Sequence, residues 1–132
     1  MVYKANTKKR EKTDFIAIHC SATANQNFGA ADIDKWHRKQ GWTCIGYHYV
    51  IRRDGTVEQG RDEAVVGAHV ADWNSVSLGI CMVGGVSADD HTKAQNNFTK
   101  AQFESLKKLL VDLKTRYPNA KVQGHRDFPK VA

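Results

Sequence analysis

The chain has 132 residues, 41% of them hydrophobic, which fits one domain near the usual size of ~100–150 residues with enough apolar side chains for a core. Its formal charge of +6 favours an anionic partner, whether nucleic acid, an acidic membrane surface or the anionic polymers of a bacterial wall, without choosing among them. No apolar run approaches the roughly 18 residues of a membrane helix, and no apolar stretch follows the lysine-rich start, so neither a span nor a secretory signal is expected and synthesis in the cytoplasm follows.

Residues 1–12 form a basic, polar segment whose cluster Lys8, Lys9, Arg10 and Lys12 has no aromatic residues interleaved. It reads as a solvated tail, not a nucleic-acid patch, and the folded domain is expected over 13–132. Asp14 to Cys20 contains a continuous apolar run, Phe15 to Ile18, that ends in His19, the pattern of a buried strand. Ala30 to Gln40 places Ile33, Trp36, His37 and Gln40 on one helical face and is closed by Gly41. Gly46 to Arg53 is rich in β-formers, Asp54-Gly55 is a hairpin turn signal, and Thr56 to Gln59 supplies the returning strand.

From Gly60 to Ser77 the composition is that of a loop, and loops on a rigid scaffold often carry binding residues. Leu78 to Val83 is a second buried strand, ended by Gly84-Gly85, and Val86 to Asn97 is a polar surface excursion. Thr99 with Gln102 is a capping-box signature, followed at helical spacing by Phe103, Leu106, Leu110, Leu113 and Tyr117 until Pro118 forces a stop. Ala120 to Gly124 is a short strand that leads into His125. Strands alternate with helices and one hairpin interrupts them, which predicts a single α/β domain with a central mixed β-sheet flanked by α-helices.

Cys20, Cys44 and Cys81 are an odd number at irregular spacing with no CxxC pair, so reduced and mostly buried thiols are expected. His19 and His125 each end a strand signal, and neutral imidazole is the commonest zinc ligand. A catalytic zinc typically takes three protein ligands and leaves a fourth position for water. On the residues alone, either Asp127 completes such a site or a ligand lies past Ala132. Each residue also has a plainer reading: a lone histidine after a strand is more often structural, and Tyr47 beside a hairpin is more often packing. His48, one step from Tyr47, points to the opposite face and is read as structural. Strand alternation likewise turns Cys20 away from His19. Trp36, Trp42 and Trp73 are read as packing residues, with Trp73 placed to contact sugar as well.

Taken together the motifs Ile18-His19-Cys20-Ser21-Ala22-Thr23, Trp36-His37, Gly41-Trp42, Gly46-Tyr47-His48-Tyr49, Arg53-Asp54-Gly55-Thr56-Val57-Glu58, Gly67-Ala68-His69, Asn74 to Ile80 and Gly124-His125-Arg126-Asp127 resemble, in order, the type 2 N-acetylmuramoyl-L-alanine amidases. The resemblance is to the small phage and prophage zinc amidases and extends to the animal peptidoglycan recognition proteins. It implies that fold, a Zn2+ cofactor held by His19 and His125, a catalytic Tyr47, and a groove for the muramoyl peptide lined by His37, His69 and Asn74. It further implies a third ligand, cysteine or aspartate, and a lysine two residues before it, at positions past Ala132; Lys130 comes too early for that register.

The implied reaction is hydrolysis of the amide between N-acetylmuramic acid and L-alanine of peptidoglycan, in phage or prophage lysis of the cell wall. Zinc suits it by lowering the pKa of a bound water to about 7 and polarising the carbonyl. A non-catalytic peptidoglycan-binding module is the alternative if the chain ends at Ala132. Some phage amidases of this type also bind their phage's RNA polymerase, so that partner is implied by resemblance only. Nucleic acid is not an expected partner.

Overall fold

The computed structural model describes residues 8–70, 72–90 and 92–124. Its strands are β1 (Phe15–Cys20), β2 (Tyr49–Ile51), β3 (Val57–Gln59), β4 (Ser77–Met82) and β5 (Lys121–Gly124), with helices α1 (Ala30–Lys39) and α2 (Lys100–Arg116) and a 3-10 turn at Asn74–Val76. They form one five-stranded sheet in the order β3-β2-β4-β1-β5. β2 and β3 are antiparallel, and every other pairing is parallel, giving the mixed sheet that the alternation of elements predicts.

β4 lies between β2 and β1, and all six of its residues are buried. A strand covered on both faces needs an unbroken apolar run, which is why Leu78 to Val83 shows no alternation. On one face, Ile16, Ile51, Leu78, Ile80 and Met82 pack with Leu113 of α2. On the other, Val50, Cys81 and Val83 pack with Ala30 and Ile33 of α1 and with Ile45. Gly84 (φ +134°) and Gly85 (φ +103°) then turn the chain through backbone conformations that side chains disfavour.

Helix α2 begins as its capping box requires. The Thr99 hydroxyl accepts from the Gln102 amide N–H at 3.1 Å, and the Gln102 Oε1 accepts from the Thr99 N–H at 2.9 Å. The Gln102 Nε2 reaches further, donating to the carbonyls of Ile51 at 3.1 Å and Val83 at 2.9 Å. Gln102 is fully buried for that reason, and the buried line of the helix runs through Gln102 and Leu113. Phe103, expected on the buried face, is instead 46% exposed and sits edge-on to Phe98.

Residues 8–11 are not a free tail. The backbone of Lys8 accepts from Val66 N–H, Arg10 N–H donates to Ala64 O at 2.7 Å and Glu11 N–H to Ser75 O at 3.0 Å, while the side chains of Lys8 and Lys9 face solvent. Arg10 Nε also donates to Glu63 O at 2.7 Å. The side chain of Glu63 accepts from the hydroxyls of Tyr49 and Tyr117, both at 2.5 Å, and from Arg116 at 2.6 Å. One carboxylate thus ties the 61–66 loop to β2 and to the end of α2.

Candidate active site

β1 delivers His19 one residue before its end, in register with Cys81 of β4. β5 pairs with β1 as far as Ile18 and Gly124. The C-terminal ends of these parallel strands open onto a cleft of about 710 Å³ lined by Ile18, His19, Cys20, Met82, Gly85 and Gly124 from the sheet and its turn, with Tyr47 and His69 beside them and Phe98, Phe103 and Leu106 across it. A cleft at the carboxyl ends of parallel strands is where open α/β sheets usually bind ligands.

His19 and His69 meet in that cleft, with His19 Nε2 and His69 Nδ1 2.9 Å apart. The Tyr47 ring lies 5.2 Å from the His19 ring, centroid to centroid. Burial first, then the neighbouring Cys81 and Cys20, hold the Tyr47 phenol well above its ordinary pKa, so it remains a hydroxyl and can donate. His69 occupies a slot made by two glycines: a Cβ on Gly79 would fall 2.6 Å from the His69 ring, and one on Gly67 would fall 2.7 Å from it. No side chain larger than hydrogen fits at either position while the imidazole stays where it is.

His48 lies behind His69, ring centroids 5.6 Å apart, and is fully buried. Its Nδ1 accepts from the Gly79 N–H at 3.0 Å, which leaves Nε2 to donate to Val65 O at 2.8 Å. Burial pulls its pKa down to about 4, so it is a neutral structural residue. This agrees with the reading from strand alternation.

His37 does not line the cleft. Its Nδ1 accepts from the Gly46 N–H at 3.0 Å, and its ring stands between Trp42, at 4.3 Å, and Tyr47, at 5.6 Å. Burial, then the Arg61 charge, lowers its pKa. Asn74 also stands apart from the cleft lining: its Oδ1 accepts from the N–H groups of both His69 and Val70, each at 2.9 Å, so it shapes the loop that presents His69. Cys20, expected to face away, is exposed and lines the same cleft as His19. β1 ends at Cys20, and the cleft wraps over that end, where alternation no longer separates two faces. Trp36 packs on Phe28 and Trp73 on Phe15 as expected, whereas Trp42 is 38% exposed.

His125, like Asp127 and Lys130, falls outside the described residues. Among the described residues no group of three or more His, Cys, Asp or Glu side chains able to hold a metal is present. What is described is compatible with a cation: His19 offers an imidazole in the cleft, with His69 at hydrogen-bond distance from it, and no lysine or arginine among the described residues lines the cleft.

Comparisons with known proteins identify the family. A family model described as N-acetylmuramoyl-L-alanine amidase matches residues 9–131. The chain belongs to the N-acetylmuramoyl-L-alanine amidase family. It is similar to the endolysin of Escherichia phage T7, 50% identical over 121 residues that cover 91% of this chain and 79% of that protein. The endolysin of Klebsiella phage KP32 is 49% identical over 125 residues, covering 94% of this chain and 82% of the other. Among solved structures, the amidase LysCS from Clostridium intestinale URNW superimposes with a TM-score of 0.79 at 28% identity, over 99% of this chain and 84% of that one. The fold and the enzyme class are therefore those of this amidase family, whose reaction is hydrolysis of the N-acetylmuramoyl-L-alanine amide. The family model begins at Lys9, within the segment that the sequence assigns to a tail.

Sequence reasoning carried Ser77 and Gly79 only as members of the Asn74 to Ile80 motif, with no role of their own, and did not single out Glu63. Signals for the first two exist: Ser77 opens an otherwise apolar strand, and a glycine in a strand interior marks a close approach. Glu63 in a loop carries no such signal.

Proposed function

We propose that this amidase is zinc-dependent and cleaves the muramoyl amide of peptidoglycan in the cell wall, with His19 and His125 as metal ligands and Tyr47 as the catalytic hydroxyl. The observation that carries it is the convergence of His19, His69 and Tyr47 in one cleft at the ends of the parallel strands. β5 ends at Gly124, the strand partner of Ile18, the residue before His19.

Zinc, when bound, supplies an activated water at neutral pH and a polarised carbonyl. The chain's own residues orient the reaction. The Tyr47 hydroxyl, kept protonated by burial, donates to the oxygen on which negative charge develops, a contact worth roughly 3 kcal/mol when well aimed. His69 lines the reaction centre, Asn74 holds its loop, and His37 buttresses Tyr47 from the far side. Among the described residues no helix is long and apolar enough to cross a membrane, and nothing in them supports an RNA polymerase partner.

The test uses purified peptidoglycan sacculi and measures soluble stem peptide. The expected result is that the protein releases it, loses the activity on treatment with a chelator and regains it with zinc, and that His19→Ala neither retains the metal nor hydrolyses. Undiminished release by zinc-free protein would refute the metal assignment. Binding to sacculi without release at any zinc concentration would favour a binding module.

A further inference from the structure

We propose that the strap formed by residues 93–96 is the subsite for the stem peptide of the substrate, read through the carboxamides of Gln95 and Asn96. Ala94, Gln95 and Asn96 line the same cleft as His19 and Tyr47. Both carboxamide side chains are exposed, and among the described residues neither has a hydrogen-bond partner. Apart from His19, Cys20, Tyr47 and His69, they are the only polar side chains among the described residues that line the cleft.

The strap is held from behind. Ser87 N–H donates to Lys93 O and Gln95 N–H to Gly85 O, both at 2.9 Å, which sets Val86 and Ala94 opposite each other in an antiparallel bridge. Those two bonds flank Ala94, so its own N–H and C=O point away from the turn. Asn97 fixes the end of the strap: its Oδ1 accepts from Gly85 N–H at 2.8 Å, and its Nδ2 donates to Ala24 O at 3.0 Å and Val86 O at 2.9 Å. The turn is cut to receive it, since a Cβ on Gly84 would fall 2.8 Å from Asn97 Oδ1. A wall held this way meets a ligand with little ordering cost.

An extended backbone edge flanked by carboxamides is complementary to a peptide, because each offers N–H donors and C=O acceptors to the other. The stem peptide begins at the scissile amide and must leave the reaction centre along a wall of the cleft. The strap is the wall with unspent donors and acceptors. With no lysine or arginine among the described lining residues, it reads uncharged amide groups. The inference rests on the cleft holding the muramoyl amide, as proposed above.

The experiment is proton–nitrogen NMR titration of metal-free protein with three probes: a stem tetrapeptide beginning at L-alanine, the N-acetylmuramoyl tetrapeptide, and N-acetylmuramic acid. The carboxamide signals are assigned by their loss in Gln95→Ala and Asn96→Ala. Both peptides should move those signals and the Ala94 amide, and N-acetylmuramic acid should not. With Gln95→Ala and Asn96→Ala combined, Kd for both peptides should rise about 10-fold, as expected for two neutral hydrogen bonds, while Kd for N-acetylmuramic acid stays the same. Strap signals that stay in place, no measurable peptide binding, or an unchanged Kd in the folded double variant would overturn the proposal. Movement of the strap signals by N-acetylmuramic acid alone would assign the strap to the sugar and overturn it as well. The titration does not depend on metal, so a protein that bound peptide through the strap yet hydrolysed sacculi without zinc would count against the zinc assignment and leave the strap standing.

Discussion

Replacing Glu63 with glutamine tests whether one carboxylate joins three parts of the fold. The side chain is 13% exposed and accepts from Tyr49, Tyr117 and Arg116 at 2.5, 2.5 and 2.6 Å. A hydrogen bond to a charged acceptor contributes about 1.5–3 kcal/mol, against about 1 kcal/mol for a neutral one. Glutamine keeps one acceptor oxygen and turns an N–H₂ toward a donor, so one tyrosine bond is lost and the other weakened. The Arg116 pair, 44% exposed on the arginine side, adds no more than about 1 kcal/mol. The expected loss is about 3 kcal/mol, which for a chain of this length lowers Tm by roughly 10 °C in thermal unfolding followed by circular dichroism at pH 7.

The pH dependence gives the sign. Burial pulls the Glu63 pKa up, but the bonds from Tyr117, Tyr49 and Arg116 outweigh it and hold the group below the usual carboxylate value. A depressed carboxylate stabilises the fold in full above its unfolded pKa of about 4.3, and that contribution disappears as pH falls through the lower folded value. The gap in Tm between wild type and Glu63→Gln should therefore be widest at neutral pH and close in acid. A Tm change of less than about 2 °C at pH 7, or a gap that widens as the pH drops, would refute the reasoning.

Two further substitutions probe the cleft. Tyr47→Phe should retain zinc and the fold yet lose about 100-fold in kcat, because it removes a donor worth roughly 3 kcal/mol while leaving the ring that packs beside His19; steady-state hydrolysis of sacculi with metal analysis checks this, and an unchanged rate would remove Tyr47 from catalysis. Gly79→Ala should displace His69, since the added carbon would lie 2.6 Å from its ring, and the NMR signals of His69 should move even if the protein stays folded. His69 signals that stay in place would show that the slot yields.

Much of the architecture can be read from the residues because it follows from local rules. The apolar run after Asp14, the Thr99 and Gln102 cap, and the Gly84-Gly85 stop each specify their element without reference to distant parts of the chain. The rotation of α2 could not be read that way. Spacing placed Phe103 on the inner face, but the amide of Gln102 finds two carbonyl partners at the ends of β2 and β4, and burying it turns Phe103 outward. The same limit applies to residues 8–11, whose composition suits solvent but whose backbone pairs with a loop more than fifty positions away.

At the site, the residue types in motifs pointed to His19, Tyr47 and His69, and the structure brings these three together. Asn74 illustrates what motifs leave open: a polar loop side chain next to a groove reads as a contact residue, while its oxygen is engaged with two backbone amides. Cys20 shows the reverse, since a period of two is a rule for the middle of a strand and weakens at its end.

The buried imidazole of His48 bridges the loop at Val65 to the central strand at Gly79 only while it is uncharged. An unfolded histidine takes up a proton near pH 6.5, but the folded one resists until about pH 4, so stability drains away across that interval as the solution is acidified. Once the ring is charged, Gly79 N–H faces a second donor. Acidification through that interval should therefore loosen the packing behind His69, where His48 joins the Val65 loop to β4.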